Sequence, residues 1–180
     1  YTATAAKGFR VEYATKEDYS DALVVETDAT ARSVDLYNLY KASTYYVRVS
    51  ALDGQGDVIE KEYGEFKTTD LGPRVMNVEG IYNVRDIGGH ESSLGKTVLQ
   101  GIAYRGGSLT PANGFNYDSN ITEAGKKYMS EVMGIKGELD FRNTSESGIG
   151  YESVIPGTEL TYIGLGGYTS AFYSKEAYRK

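Results

Sequence analysis

The first 70 residues alternate apolar and polar side chains over short runs, and this period of two limits the folds they can form. A strand with one buried face repeats every two residues, whereas a helix repeats every 3.6. Turn sequences such as Asp53-Gly54-Gln55-Gly56-Asp57 separate the runs. The pattern predicts a β-sandwich of short strands at residues 1–70. The apolar sets are Phe9-Val11-Tyr13, Ala22-Val24, Val34-Leu36, Tyr45-Val47-Val49-Ala51 and Phe66-Thr68.

A different pattern begins after Leu71-Gly72-Pro73, because Gly and Pro both interrupt regular structure. Asn120-Ile121-Thr122-Glu123 predicts the start of a helix, and Gly134 is placed to end it in a left-handed conformation. We therefore predict two domains, at residues 1–70 and 71–180. The apolar residues expected on the buried face of the helix are Ala124, Tyr128, Met129, Val132 and Met133.

The predicted helix leads into a predicted strand, Ile135 to Phe141, which is typical of an α/β domain. Sheets of that class bind ligands at the carboxyl ends of their strands, where Asp140, Arg142 and Glu146 stand. An acidic residue two positions before an arginine is also a common structural ion pair, so a catalytic and a structural interpretation remain for each residue.

Composition excludes several classes of function. The chain has no Cys and one His, which excludes disulfides, a cysteine nucleophile within these residues and His-rich metal clusters. The net charge of −6 makes nucleic acid a poor partner, since phosphate backbones attract basic surfaces. No apolar run is long enough to span a membrane. Because the chain lacks a starting Met, we expect a fragment of a longer protein.

Three motifs follow one another in the second part: Asn83-Val84-Arg85-Asp86-Ile87-Gly88-Gly89, Gly101-Ile102-Ala103-Tyr104-Arg105-Gly106-Gly107, and Asp140-Phe141-Arg142 with Glu146. In this order they resemble the first half of the atypical tyrosine and lipid phosphatases. Gly106 departs from the pattern, in which Ser is usual. In that family a His-Cys-x5-Arg loop performs phosphoryl transfer, and the chain contains no such loop.

The phosphatase resemblance implies supporting roles in a phosphate pocket. Asp140 and Arg142 would line the rim, and Arg142 or Arg105 would supply charge or hold the loop. Glu146 would pair with an arginine. The resemblance further implies a buried polar network beneath the pocket, formed by Asn83, Arg85 and Asp86.

Residues 39–51 resemble a second family, the fibronectin type III modules. The shared pattern is Leu, a short turn, then Tyr-x-Val-x-Val-x-Ala, in which Tyr45 would be the tyrosine-corner residue and bond back to backbone near Leu39. Lys41 stands where that family has a turn proline. The first two strands and the core tryptophan are not visible before Phe9, so the resemblance implies a degenerate first strand or an incomplete module.

Two other patterns have simpler explanations. The 17 Tyr suggest a carbohydrate-binding face, yet most occupy alternating strand positions, where packing explains them. Gly95-Lys96-Thr97 suggests a phosphate loop, but the glycine that such a loop requires at position 90 is His90, so a hairpin turn is the better interpretation.

The sequence thus predicts a multi-domain α+β protein: a fibronectin-like β-sandwich, followed by part of an α/β phosphatase-like domain. The resemblance implies a parent enzyme that hydrolyses phosphotyrosine or phosphoinositide monoesters without metal or cofactor, and this chain would be inactive alone. The missing catalytic half is expected in the parent or as a separate polypeptide partner. By analogy, a fibronectin-like module in an acidic, bacterial-looking chain favours an extracellular or cell-surface location.

Two alternatives remain open from the sequence. The first is a non-catalytic cell-surface adhesion or binding protein with a phosphatase-like scaffold, which the lack of Cys favours. The second is a carboxylate hydrolase that uses Asp140 and Glu146, and it requires the two carboxyl groups to lie about 5–10 Å apart across a cleft.

Overall fold

The computed structural model describes residues 6–111, 120–142 and 152–163. Within these ranges the chain is mostly β-sheet with little helix. Its strands are β1 (Gly8–Ala14), β2 (Leu23–Asp28), β3 (Thr44–Leu52), β4 (Val58–Lys67), β5 (Arg74–Val78), β6 (Ile81–Asp86), β7 (Tyr104–Arg105), β8 (Gly137–Asp140) and β9 (Glu159–Tyr162). The helix α1 (Glu123–Lys127) continues directly into a π-helical turn, Tyr128–Val132.

An antiparallel four-stranded sheet in the order β2-β1-β3-β4 is built from the alternating runs at the start of the chain. Alternation brings one set of apolar side chains to the same face, where Tyr45 stacks on Phe66 with ring centroids 5.4 Å apart. Burial of these side chains stabilises the sheet. The buried apolar residues of this region are Val11, Tyr13, Ala14, Tyr45, Ala51 and Leu52.

The predicted hydrogen bond of Tyr45 is present. Its hydroxyl accepts a hydrogen bond of 2.8 Å from the backbone N–H of Tyr40, the residue after Leu39. The bond gives the N–H of Tyr40 an acceptor and gives the hydroxyl of the buried Tyr45 a polar partner. The bond fixes the turn that leads into β3.

The predicted strand at Val34-Leu36 is wrong, since residues 31–40 form no strand. The backbone here is engaged by side chains rather than by a neighbouring strand. The Arg74 guanidinium donates to the carbonyl oxygens of Asn38 and Leu39, at 2.7 and 3.0 Å, and lies over the ring of Tyr40. These bonds satisfy backbone groups that a sheet would otherwise pair.

A second core lies beneath the sheet β5-β6-β7, which carries the first two phosphatase motifs. The helix packs against this core, and the hydroxyl of its N-cap Thr122 accepts from the N–H of Gly125 at 3.1 Å. Gly134 has a φ of +66°, as predicted for a helix stop. The buried members of the core are Met76, Val78, Ile81, Val84, Leu109, Ile121, Met129 and Ile155.

The predicted apolar face of the helix is partly wrong. Met129 is buried, and Tyr128 and Met133 pack against the core, but Ala124 and Val132 are exposed. The prediction assumed 3.6 residues per turn throughout, whereas the second half of the helix is a π-turn, which changes the side that Val132 faces. Ala124 precedes that turn and is exposed in the first turn of α1.

The helix is followed by β8, which pairs in parallel with β9. The strand predicted from Ile135 to Phe141 exists, but it is restricted to Gly137–Asp140. Asp140 lies at its carboxyl end, as expected, and Phe141 just beyond it is exposed.

The described residues form two compact units. One holds the chain up to Arg74 together with Ile87–Gln100, and the other holds Val75–Asp86 with the described residues from Gly101 onward. Residues 87–100 include the hairpin turn predicted at Gly95, where Glu91 pairs with Thr97. The chain therefore passes from one unit to the other three times.

The segment 87–100 is fixed within the first unit by Gln100 and Lys41. The N–H of Lys41 donates to Oε1 of Gln100 at 2.9 Å, and Nε2 of Gln100 donates to the Lys41 carbonyl at 3.2 Å. A proline at position 41 would have no N–H for the first of these bonds. The departure from the fibronectin pattern at Lys41 thus has a structural reason.

Candidate functional site

The carboxyl end of β8 holds a buried ion pair between Asp140 and Arg142. Asp140 is 7% exposed and accepts four hydrogen bonds from Arg142, one from its backbone N–H and three from its guanidinium. The shortest joins Nη2 to Oδ2 at 2.7 Å. These bonds raise the pKa of the Arg142 guanidinium above its ordinary value, so it stays charged.

The remaining donors of Arg142 reach a separate loop. Nη1 donates to the carbonyl oxygen of Thr110 at 3.0 Å, and Nη2 to its hydroxyl at 3.3 Å. Thr110 follows the Tyr-Arg-Gly-Gly motif, so Arg142 fastens the end of β8 to the loop after β7. All three guanidinium nitrogens donate to Asp140 or Thr110, and the arrangement positions two motif segments relative to each other.

Strand β6 places the polar residues of the first motif on two different faces, one buried and one exposed. Asp86 is 1% exposed, and its Oδ2 accepts from the N–H of Gly101 at 2.6 Å, which holds the start of the second motif. Asn83 and Arg85 are exposed. The predicted buried network of all three is therefore wrong, because successive strand residues point to opposite faces and Arg85 cannot share the buried face with Asp86.

Arg85 on β6 and Arg105 on β7 are direct cross-strand partners in the antiparallel pair. Residues directly opposite each other project from the same face, so both arginine side chains leave one exposed face of the sheet. No ion pair or side-chain hydrogen bond in the described residues engages either guanidinium. Like charges in this relation are destabilising unless an anion lies between them.

This cross-strand arginine pair joins two motifs that also appear together in a known family. Residues 76–176, more than half of the chain, match the tyrosine phosphatase family. The chain belongs to the tyrosine phosphatase family. The match includes all three motifs of the sequence analysis and supports a phosphatase-like function. No curated protein matches the chain.

Within this tyrosine phosphatase family chain, Gly106 departs from the pattern for a steric reason. A Cβ built on Gly106 would lie 3.2 Å from Cγ2 of Val84, a buried core residue. That distance is tighter than ordinary van der Waals contact, so serine at this position would require Val84 to move.

Sequence reasoning missed Glu138, a second carboxyl on the same side of β8 as Asp140. It is partly buried, and its Oε2 accepts from the hydroxyl of Ser153 at 2.6 Å. Burial raises the pKa of Glu138 above its ordinary value of 4.5, although the Ser153 bond opposes the shift. The sequence did hold a signal for Glu138, because residues two positions apart in a strand, such as Glu138 and Asp140, project from the same face.

Glu146 lies outside the described residues, so its predicted pairing with an arginine stays a prediction. In the part of the chain that the structure describes, no group of acidic and histidine side chains is arranged to hold a metal ion. No helix there has the length and apolar character needed to cross a membrane.

Proposed function

We propose that this chain is the N-terminal part of a cysteine-dependent phosphatase that hydrolyses phosphotyrosine or phosphoinositide monoesters. Because these 180 residues contain no Cys, the nucleophile and its His-Cys-x5-Arg loop must come from other residues, either further along the parent or on a separate polypeptide. The chain alone is then inactive.

The observation that carries the proposal is the arginine pair within the family match. Arg85 and Arg105 project from the same exposed face of the sheet, and neither forms an ion pair among the described residues. A phosphate monoester carries close to two negative charges at neutral pH and has three oxygens that accept from guanidinium groups. The pair therefore suits the phosphate of a substrate.

The other motif residues take positioning roles in this proposal. Arg142 and Asp140 hold the loop at Thr110, and Asp86 holds Gly101. These contacts fix the two segments that flank Arg105. Arg142 is thus assigned to the support of the pocket rather than to direct contact with phosphate, because its guanidinium nitrogens are already engaged.

The domain assignment forms part of the same proposal. Residues 1–70 would form a fibronectin type III-like module, supported by the bond between Tyr45 and Tyr40. Residues 71–180 would contribute to an α/β phosphatase domain, supported by the parallel pair β8 and β9 after a helix. A cell-surface location agrees with such a module.

Hydrolysis of p-nitrophenyl phosphate by this chain and by the full parent protein tests the function. We expect activity from the parent alone, and we expect a thiol-alkylating reagent to abolish it. Activity of the 180-residue chain by itself would refute the need for a cysteine.

A second function is a non-catalytic binding protein with a phosphatase-like scaffold, which the absence of Cys favours. In that case neither protein would hydrolyse the substrate. Arg105→Gln in the parent separates the two further, because a phosphate-binding role predicts a higher KM, whereas a scaffold would show no hydrolysis to change.

A further inference from the structure

A concave surface lies on the first compact unit, away from the motif residues. Its volume is about 470 Å³, and it lies between the loop that precedes β2 and the neighbouring strands β3 and β4. It is an open depression of the surface rather than an enclosed cavity, so part of any ligand bound there would remain in solvent. We call it the tyrosine pocket, lined by Glu17, Tyr19, Tyr46, Tyr63, Gly64 and Glu65.

The strand register explains why these side chains meet. Tyr46 lies opposite Glu65, and Arg48 lies opposite Tyr63, so all four project from one face of the sheet. Tyr63 is 63% exposed, which leaves its ring accessible to a ligand. Packing within the core therefore does not account for Tyr63, in contrast to Tyr45.

The backbone of Tyr19 is in a conformation that large side chains rarely adopt. Its φ is +58°, the left-handed region, which costs free energy for any residue except glycine. Asp21 fastens the same loop by accepting from the N–H groups of Thr15 and Lys16. The loop thus holds the ring of Tyr19 at the pocket in spite of the strain.

One ring of the pocket, that of Tyr19, already contacts a cationic side chain. The guanidinium carbon of Arg48 lies 4.6 Å from the centroid of the Tyr19 ring. Arg48 is itself neutralised, because Glu12 binds it through two hydrogen bonds of 2.5 and 2.6 Å. This contact is a cation–π interaction of the kind that recognises organic cations.

The charge of the lining favours a cationic ligand. Glu17 and Glu65 contribute two carboxylates to the lining, and no ion pair in the described residues neutralises either one. Arg48 lies against the Tyr19 ring, but its charge is paired with Glu12. A neutral sugar would use the tyrosine rings and hydrogen bonds but would leave two like charges uncompensated. An organic cation uses both the rings and the charges.

We propose that the tyrosine pocket binds an ammonium group that carries alkyl substituents, through the rings of Tyr19, Tyr46 and Tyr63 and the carboxylates of Glu17 and Glu65. Such a group occurs on free quaternary ammonium compounds and on methylated lysine in peptides. The ligand and the phosphatase chemistry are independent, so this site can exist with or without the proposed catalytic function.

NMR titration of the full 180-residue chain with choline chloride tests the pocket, against sodium chloride at equal ionic strength. We expect saturable shifts at Tyr46, Tyr63 and Glu65 with a millimolar dissociation constant, as suits an open site. A parallel titration with a trimethyl-lysine peptide identifies the source of the ammonium group. Tighter binding of the peptide indicates a protein partner, and equal binding indicates a small molecule.

Matched variants locate the binding. Tyr63→Ala and Glu65→Gln should each weaken choline binding about five- to tenfold, whereas Tyr63→Phe, which keeps the ring, should retain most of it. Glu62→Gln removes the same charge from β4 outside the pocket and should change nothing. Shifts that persist in Tyr63→Ala, no saturable shift, or binding of cellobiose in place of choline would each overturn the proposal.

Discussion

Arg85 and Arg105 lie directly opposite each other on β6 and β7, with both side chains exposed on the same face of the sheet. Two like charges in this relation oppose folding, and a nearby anion would reverse their effect. Stability and ligand binding therefore make opposite demands on the pair.

The first prediction concerns that opposition. Arg105→Gln should raise the free energy of unfolding by about 0.2–1 kcal/mol, because it removes one of two facing charges. Inorganic phosphate should stabilise the wild type but not the variant, in thermal unfolding at equal ionic strength. Lys96→Gln, an equal loss of charge in the hairpin turn, is the control. If phosphate stabilises Arg105→Gln as much as it stabilises Lys96→Gln, the arginine pair is not the origin of the effect.

The second prediction concerns the ion pair at the end of β8. Arg142→Gln should lower the free energy of unfolding by about 3 kcal/mol, because it leaves the buried Asp140 carboxylate without its partner and releases Thr110. Urea unfolding measures this. Arg10→Gln is the comparison, since the exposed pair of Arg10 with Glu26 should be worth less than about 1 kcal/mol. Equal losses would show that burial of the pair is unimportant.

The third prediction concerns pH. The pKa of Glu138 is raised by burial, so the folded state binds this proton more tightly than the unfolded state does. The stability that Glu138 contributes is fully present at pH below 4.5, the ordinary pKa of a glutamate side chain. It is lost as the pH rises through the raised pKa of the folded state.

Glu138→Gln imitates the protonated form and should be more stable than the wild type at pH 7, by up to about 1 kcal/mol after allowance for solvent screening. The difference should shrink towards zero as pH falls below 4.5. Urea unfolding across this range measures it, with the exposed Glu159→Gln as control. A difference independent of pH would contradict the prediction.

The fourth prediction concerns the turn before β3. Tyr45→Phe keeps the stacked ring but leaves the N–H of Tyr40 without its acceptor, which should cost about 1–2 kcal/mol. Tyr37→Phe, at an exposed tyrosine, should have almost no effect. Chemical unfolding of the two variants measures the difference. If the free energy of unfolding of Tyr45→Phe equals that of the wild type, water replaces the lost hydrogen bond.

The fifth prediction concerns the link between Gln100 and Lys41. Gln100→Ala removes both hydrogen bonds and should expose the Lys41 amide to solvent. Hydrogen exchange at that amide should then accelerate at least about tenfold, since loss of the bonds costs roughly 1–2 kcal/mol. Exchange at Val47 within β3 should stay slow. If both amides accelerate together, the substitution has instead loosened the whole unit.

Local patterns predicted the features that depend on neighbouring residues. The strands at Phe9 and Tyr45, the helix stop at Gly134 and the hairpin turn at Gly95 follow from alternation and turn chemistry alone. The bond between Tyr45 and Tyr40 also spans only five residues. Such features need no knowledge of the rest of the chain.

Distant contacts decided the features that the sequence did not predict. Val34-Leu36 alternates like a strand, but Arg74 binds the carbonyls that follow it from more than 30 residues away. In the candidate site, Arg85 and Asp86 are adjacent in sequence, yet the strand places them on opposite sides. The partner of Arg142 at Thr110, 32 residues away, likewise has no local signal.

The segment Ile87–Gln100 interrupts the strands of one unit and is packed into the other. Each unit is made of two separate stretches of chain, so no single cut separates the two units cleanly. A cut after Pro73 would carry the hairpin away from Lys41 and leave its anchor at Gln100 without a partner. We therefore expect that residues 74–180, produced without the first 73, would keep the hairpin but lose its attachment at Lys41.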